Sequence, residues 1–291
     1  MTTIGRFAPS PTGDLHFGSL LAAVASYLQA KSSGGLWLVR VEDIDPPREV
    51  PGSADRILQD LMSFGLHPDR KVLYQSTRTP AYDRAINELL ESGKAYWCGC
   101  SRSELPPSGI YPGTCRSGLS EGKAPRSVRL KVSDTVIRFN DAVQGVIEEN
   151  LPKTTGDFVI RRADGLAAYQ LAVVVDDAFQ GITEVVRGAD LLDSTARQIH
   201  LQQCLGLNTP LYAHHPVAVD KNGRKLGKRH RSDPISSQTA GKVFAQVLKL
   251  LGQPRPEQAG IDELRRWALR NWKLSGVPPL RTVTMDEFQT D

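Results

Sequence analysis

The chain has 291 residues, 40% hydrophobic and 23% charged, with a formal net charge of +4; this suits one large domain with an insertion, or two modest ones, around a proper core. No stretch approaches the ~18–20 unbroken apolar residues of a membrane span, and the opening Met1-Thr2-Thr3-Ile4-Gly5-Arg6 has no apolar signal core, so a cytoplasmic chain that meets no membrane is expected. The mild positive charge favours a polyanionic partner, and its distribution says more: from Asp220 to Arg231, Lys221, Arg224, Lys225, Lys228, Arg229 and Arg231 face one acid.

In chain order, residues 3–9 read as a buried strand entering the turn Pro9-Ser10-Pro11-Thr12-Gly13. Leu20, Leu21, Val24, Tyr27 and Leu28 then mark an amphipathic helix by their three-to-four spacing, which the breaker cluster Ser32-Ser33-Gly34-Gly35 ends. Leu36–Val41 is a second strand, dense in apolar residues as doubly covered parallel strands are. Ile57, Leu58, Leu61 and Phe64 mark a helix; another begins at Thr79-Pro80, with Thr as cap and Pro in the first turn, and stops at Gly93. From about 96 to 155 the alternation breaks into a Cys-, Gly-, Pro- and Ser-rich insertion with β-like runs at Ser127–Val132 and Thr135–Phe139. It resumes with Phe158–Arg161, Ile182–Val186, a helix over roughly 191–205, and Leu211–Val219. After 236 the pattern is helical, and from Ser275 it loses periodicity and predicts a loosely held end.

These elements predict an α/β chain with a doubly wound parallel (Rossmann-type) sheet. Its expected parts are a first half of the core over 1–95, an insertion domain over 96–155, a second half over 156–235 and a short C-terminal helical region over 236–291.

The strongest chemical signal is Arg6-Phe7-Ala8-Pro9-Ser10-Pro11-Thr12-Gly13-Asp14-Leu15-His16-Phe17-Gly18, which couples a strand to a helix N-terminus. The first turn of a helix carries unpaired N–H groups and a positive dipole end, a natural place for phosphate. A His there can donate to phosphate oxygens, and a Gly lets a nucleotide approach the backbone. Alone, His16 is more often an incidental turn residue. The full string resembles the signature of class I aminoacyl-tRNA synthetases, with Leu15-His16-Phe17-Gly18 in place of their His-x-Gly-His element and wording like that of the glutamyl enzymes. Ser19 stands where the superfamily has its last His. Downstream, Lys225-Leu226-Gly227-Lys228-Arg229 resembles the superfamily's Lys-Met-Ser-Lys-Ser loop, whose ammonium groups clamp the triphosphate and stabilise charge on departing pyrophosphate. Gly227 and Arg229 depart from that pattern; Lys228 keeps the second lysine.

The resemblance implies His16 and Lys228 as catalytic residues, and His16, Gly18, Lys225 and Lys228 as contacts to ATP, which brings Mg²⁺. It implies Arg6, Ala8, Ser10, Glu42, Tyr169 and Arg187 as the glutamate pocket. Residue chemistry agrees: glutamate has two carboxylates and one ammonium, and guanidinium groups fork carboxylates. Glu42 stands at a strand's C-terminal end, where open α/β sheets bind ligands. Each of these residues taken singly reads as well as an ordinary ion pair or core phenol.

The four cysteines make no disulfide framework in a chain this long; three, Cys98, Cys100 and Cys115, cluster within 18 residues, which in a reducing compartment points to metal. Three thiolates suit a structural tetrahedral Zn²⁺ that needs a fourth ligand, and no His lies near. Cys204, near a helix end, reads as a buried core thiol. The short glutamyl-Q tRNA(Asp) branch of the glutamyl synthetases, which the chain resembles most, completes such a site with tyrosine, and Tyr111-Pro112-Gly113-Thr114-Cys115 matches that element.

The resemblance covers roughly residues 4–232, and the short remainder leaves no room for the large helical domains that read an anticodon in longer synthetases. It implies transfer of activated glutamate to the queuosine of tRNA(Asp); a monomer is expected. Two other readings stay open: a paralogue that charges tRNA(Glu), and a non-catalytic RNA-binding module derived from a synthetase.

Overall fold

The structure is a computed structural model that describes residues 2–132, 134, 136–225, 240–256 and 259–284. It begins with strand β1 (Ile4–Phe7), helix α1 (Phe17–Ser32), strand β2 (Leu36–Val41), helix α2 (Ser53–Ser63), the short strand β3 (Leu73–Tyr74) and helix α3 (Thr79–Glu91). Strands β1, β2 and β3 lie parallel, with Ile4 opposite Leu36 and Arg40 opposite Leu73. The middle of the chain adds β4 (Ala95–Cys98), β5 (Ser127–Leu130), β6 (Val136–Asp141), β7 (Gly145–Asn150), the one-turn helix α4 (Leu151–Thr154) and β8 (Phe158–Arg161). Then come α5 (Tyr169–Gln180), β9 (Glu184–Gly188), α6 (Leu192–Cys204), β10 (Leu211–His215), β11 (Val217–Val219), α7 (Ala240–Leu250), α8 (Ile261–Asn271) and β12 (Thr282–Thr284).

Strands β9 and β10 are parallel neighbours. The two parallel groups meet where Thr183 N–H donates to Ile4 O at 2.9 Å and Ile4 N–H donates to Thr183 Oγ1 at 2.9 Å. Successive side chains of a strand point to opposite faces, and here both faces are covered. Phe7, Trp37, Val39, Val186 and Ala213 pack on α1, α2, α7 and α8; Leu38, Val185 and Tyr212 pack on α3, α5 and α6. That is why these strands are apolar throughout rather than alternating. Fully buried side chains such as Leu20, Leu28, Phe244 and Leu248 each contribute roughly 1.5–3 kcal/mol through burial.

Several elements differ from their sequence reading. Phe158–Arg161, expected with the resumed alternation, pairs antiparallel with β5 in the sheet β4-β5-β8. The hairpin β6–β7 leaves the insertion and joins the parallel strands, Asp141 bridging Tyr212 of β10. Both readings relied on spacing along the chain, which cannot see pairing partners. Leu211–Val219 is two strands because Pro216 has no N–H for a ladder. Thr79 is the first residue of α3 rather than its cap. Of the end beyond Ser275, the described residues 276–284 are held: Val277 lies in the core, and β12 pairs in parallel with β11; residues 285–291 lie outside the described residues. Cys204 is half-buried against the second core rather than fully buried.

Candidate active site

At the C-terminal ends of β1, β2 and β9, the chain encloses a cavity of about 390 Å³. The segment after β1 forms one wall and is fastened at three points. Glu42 N–H donates to Pro9 O, Val50 N–H donates to Pro11 O, both at 2.9 Å, and Ser53 Oγ donates to Gly13 O at 2.5 Å. Gly13 has φ 144, a conformation that side chains oppose. His16 then caps α1: its Nδ1 accepts the Ser19 N–H at 3.2 Å, which puts the ring proton on Nε2, 3.0 Å from Ser19 Oγ. One of the free N–H groups anticipated at this helix end is thus taken by His16 itself.

Arg6, Ala8, Ser10, His16, Gly18, Glu42, Tyr169, Arg187 and Lys225 all line this cavity. Lys225 bridges to Val219 across the turn Asp220–Arg224 and pairs with Asp190 at 3.0 Å. Lys228, Gly227 and Arg229 lie outside the described residues.

Beneath the cavity sits a charge cluster that the sequence did not reveal. Arg40, fully buried, donates to Asp177 Oδ1 at 2.7 Å and to Glu42 Oε1 at 3.3 Å, and Arg6 Nε donates to the same Asp177 oxygen at 3.3 Å. Two cations therefore meet two carboxylates, which makes burial of all four tolerable. Burial works to raise the Asp177 carboxyl, but Arg6 and Arg40 outweigh it and hold it below the ordinary carboxylate range. At Glu42 the balance reverses: burial lifts its carboxyl above the ordinary value despite Arg40 and Arg6.

Arg187 has no carboxylate within ion-pair distance among the described residues. Its Nε donates to His214 Nε2 at 2.9 Å, and its Nη2 donates to Thr195 Oγ1 at 2.9 Å. Its Nη1 is buried without a partner among those residues. His214 Nδ1 lies 2.5 Å from Asp141 Oδ2, and burial lowers the His214 ring to about 4, below its ordinary value, with Arg187 adding to the effect. The sequence signal for this pair was two consecutive histidines in an otherwise apolar strand.

The thiols of Cys98, Cys100 and Cys115 lie within 4.8 Å of one another, Cys100 and Cys115 at 3.7 Å. Tyr111 Oη sits 3.2 Å from Cys98 Sγ and 3.4 Å from Cys100 Sγ. A tetrahedral site with ~2.3 Å Zn–S bonds has S···S edges of roughly 3.8 Å, so the four donor atoms fit such an ion. Arg129 stacks on the Tyr111 ring at 3.7 Å and donates to Cys98 Sγ at 3.4 Å. Burial pushes the Cys98 thiol up, but the Tyr111 hydroxyl, the Cys100 N–H and Arg129 together more than offset it and bring it down to about 7.

Among the described residues no helix is long and apolar enough to cross a membrane. A family model described as "tRNA synthetases class I (E and Q), catalytic domain" matches residues 3–108 and 113–243. The glutamyl-Q tRNA(Asp) synthetase of Pseudomonas aeruginosa is 50% identical over 96% of this chain and 97% of its own length. That of Dechloromonas aromatica is 51% identical over 94% and 95%. A crystal structure of a glutamate tRNA ligase from Elizabethkingia meningosepticum, in complex with its amino acid, superposes with a TM-score of 0.84 at 28% identity, covering 98% of this chain and 67% of that one. The chain therefore belongs to the class I (E and Q) tRNA synthetases, ligases by family, and within them to the glutamyl-Q tRNA(Asp) synthetase family.

Proposed function

We propose that the chain joins L-glutamate to ATP as glutamyl-adenylate, releasing pyrophosphate, and then passes the glutamyl group to a hydroxyl of queuosine in tRNA(Asp), releasing AMP. The observation that carries the reading is the one cavity that gathers Arg187, with its spare Nη1, beside Glu42 and the N-terminus of α1. Arg187 and Arg6 supply cations for the substrate carboxylates, Glu42 takes the ammonium, and Tyr169 packs on the amino acid, with Ala8 and Ser10 bounding it. ATP lies along the α1 N-terminus at His16 and Gly18, where backbone N–H groups and the helix dipole favour phosphate. Lys225 and Lys228 hold the triphosphate with Mg²⁺ and neutralise the charge on leaving pyrophosphate.

Cys98, Cys100, Tyr111 and Cys115 hold one structural Zn²⁺. All four positions are then filled by protein, so the ion supplies rigidity and leaves no site for a reactive water. Phosphate contacts give much of the RNA affinity, which falls with salt, and unstacked loop bases give the selectivity. The reading is tested by glutamate-dependent ATP–pyrophosphate exchange, then by transfer of labelled glutamate to tRNA(Asp) with and without queuosine and to tRNA(Glu). Label on queuosine-bearing tRNA(Asp) alone is the expected result; label on tRNA(Glu) alone overturns the acceptor, and no exchange overturns the activity.

A further inference from the structure

We propose that Asp141 and His214 are positioning residues for glutamate recognition, holding the Arg187 guanidinium so that its Nη1 is kept for a substrate carboxylate. The inference rests on glutamate being the substrate.

The proton inventory leaves little freedom. A guanidinium has donors and no acceptor, so the Arg187 Nε–H needs a lone pair at His214 Nε2, 2.9 Å away. The ring proton then lies on Nδ1 and is donated to Asp141 Oδ2 at 2.5 Å. Asp141 Oδ1 is occupied by the N–H groups of Val143 at 3.0 Å, Gln144 at 2.9 Å and His214 at 3.1 Å. The carboxylate is therefore fixed by the turn of its own hairpin, β6–β7, and cannot rotate away. Arg187 Nη2 is engaged by Thr195 Oγ1 at 2.9 Å and by Leu191 O at 3.4 Å. His214 and Thr195 are fully buried and Asp141 is 2% exposed. The guanidinium is thus clamped at Nε and Nη2 before any ligand arrives, and Nη1 alone lacks a partner among the described residues. A free arginine carries ~2 kcal/mol of rotamer entropy. Here that freedom is already surrendered on folding rather than on binding, the condition under which a fixed cation recognises a carboxylate most tightly. The arrangement also gives the β6–β7 hairpin a role at the site, although no residue of it lines the cavity.

A merely structural network would tolerate any substitution that keeps the fold. The relay does not tolerate Asp141→Asn. The amide would donate to His214 Nδ1, move the ring proton to Nε2 and set it against the Arg187 Nε–H, as happens when an orienting carboxylate beside a histidine becomes an amide. His214→Phe removes the acceptor, and His214→Gln restores one at about the Nε2 position. In ATP–pyrophosphate exchange, Asp141→Asn and His214→Phe should each raise KM for glutamate ~10–100-fold, the usual range for losing an orienting partner, without a matching rise in KM for ATP. His214→Gln should recover part of the loss. Nitrogen-15 NMR of the histidine rings should show His214 as the neutral Nδ1–H tautomer in the unaltered enzyme and as Nε2–H in Asp141→Asn. Unchanged KM for glutamate in folded variants overturns the inference, as does an Nε2–H or doubly protonated ring in the unaltered enzyme at neutral pH. The tautomer reads the relay even if a variant fails to fold. Absence of exchange in the unaltered enzyme counts against the proposed activity instead, and the ring tautomer then decides the relay separately.

Discussion

Arg6 and Arg187 look alike in the sequence, one arginine at the end of each of two strands, but the structure treats them differently. Arg6 is compensated by Asp177, whereas Arg187 meets neutral acceptors and keeps a nitrogen in reserve. Truncating one partner of a buried charge pair costs about 2–5 kcal/mol, so Arg187→Gln should lower kcat/KM for glutamate ~30-fold or more. Arg6→Ala leaves Asp177 less compensated and should also lower the melting temperature. Glutamine cannot neutralise a guanidinium, so whichever variant narrows the glutamate-to-glutamine ratio in exchange assays identifies the arginine that reads the side-chain carboxylate. A ratio unmoved in both would remove the two from that task. Glu42 gives a pH prediction. Its carboxyl is raised by burial, and only the ionised form attracts an ammonium, so glutamate affinity should be full above that raised value and fall as pH drops through it. Glu42→Gln should flatten this acid limb in a kcat/KM profile. That Arg6, Glu42 and Arg187 share one cavity was anticipated because each sits in a string that carries the family resemblance. Arg40 and Asp141 were not, since their partners lie 137 and 73 residues away and only sheet register brings them together.

At the scale of elements, the same limit explains the misplaced strands. Periodicity found the runs that became β5 and β6, but nothing local says that β8 returns to β5 while β6 crosses to β10. The cysteine cluster was legible because its three thiols are close in sequence, and Tyr111 was implied by resemblance. The structure adds how the four are held. Cys98 closes β4, Arg129 of β5 covers the Tyr111 ring, and Tyr111 N–H donates to Thr155 O at 3.4 Å. The site therefore ties the loop 99–126 to the antiparallel sheet. Metal analysis should find one zinc per chain, and Cys100→Ser or a chelator should remove it. With the loop released, transfer to RNA should fall more than adenylate formation. Freshly purified protein without zinc, or equal loss of both activities, would contradict this.

For the molecule as a whole, the strand β12 beyond α8 bears on the Lys225 end of the cavity. Strand β12 pairs with β11, which runs directly into the turn that carries Lys225. Deleting residues 281–291 removes that pairing and the Arg281 O that accepts the Val217 N–H at 2.9 Å. Each ladder hydrogen bond is worth about 1 kcal/mol, so loss of one or two should raise KM for ATP roughly 5–30-fold, with glutamate affinity less affected. A truncated enzyme with unchanged KM for ATP would show that β11 needs no such brace. The charge cluster under the cavity has a further consequence for synthesis on the ribosome. Arg6 and Arg40 emerge early, and their counter-ion Asp177 is 171 and 137 residues behind them. Until α5 has emerged, a nascent chain that buried those two guanidinium groups would have Glu42 alone to balance them, so the N-terminal strands have reason to stay unpacked. The pocket cannot pre-exist in a half-made chain, because Tyr169, Arg187 and Lys225 of its lining come later in the sequence.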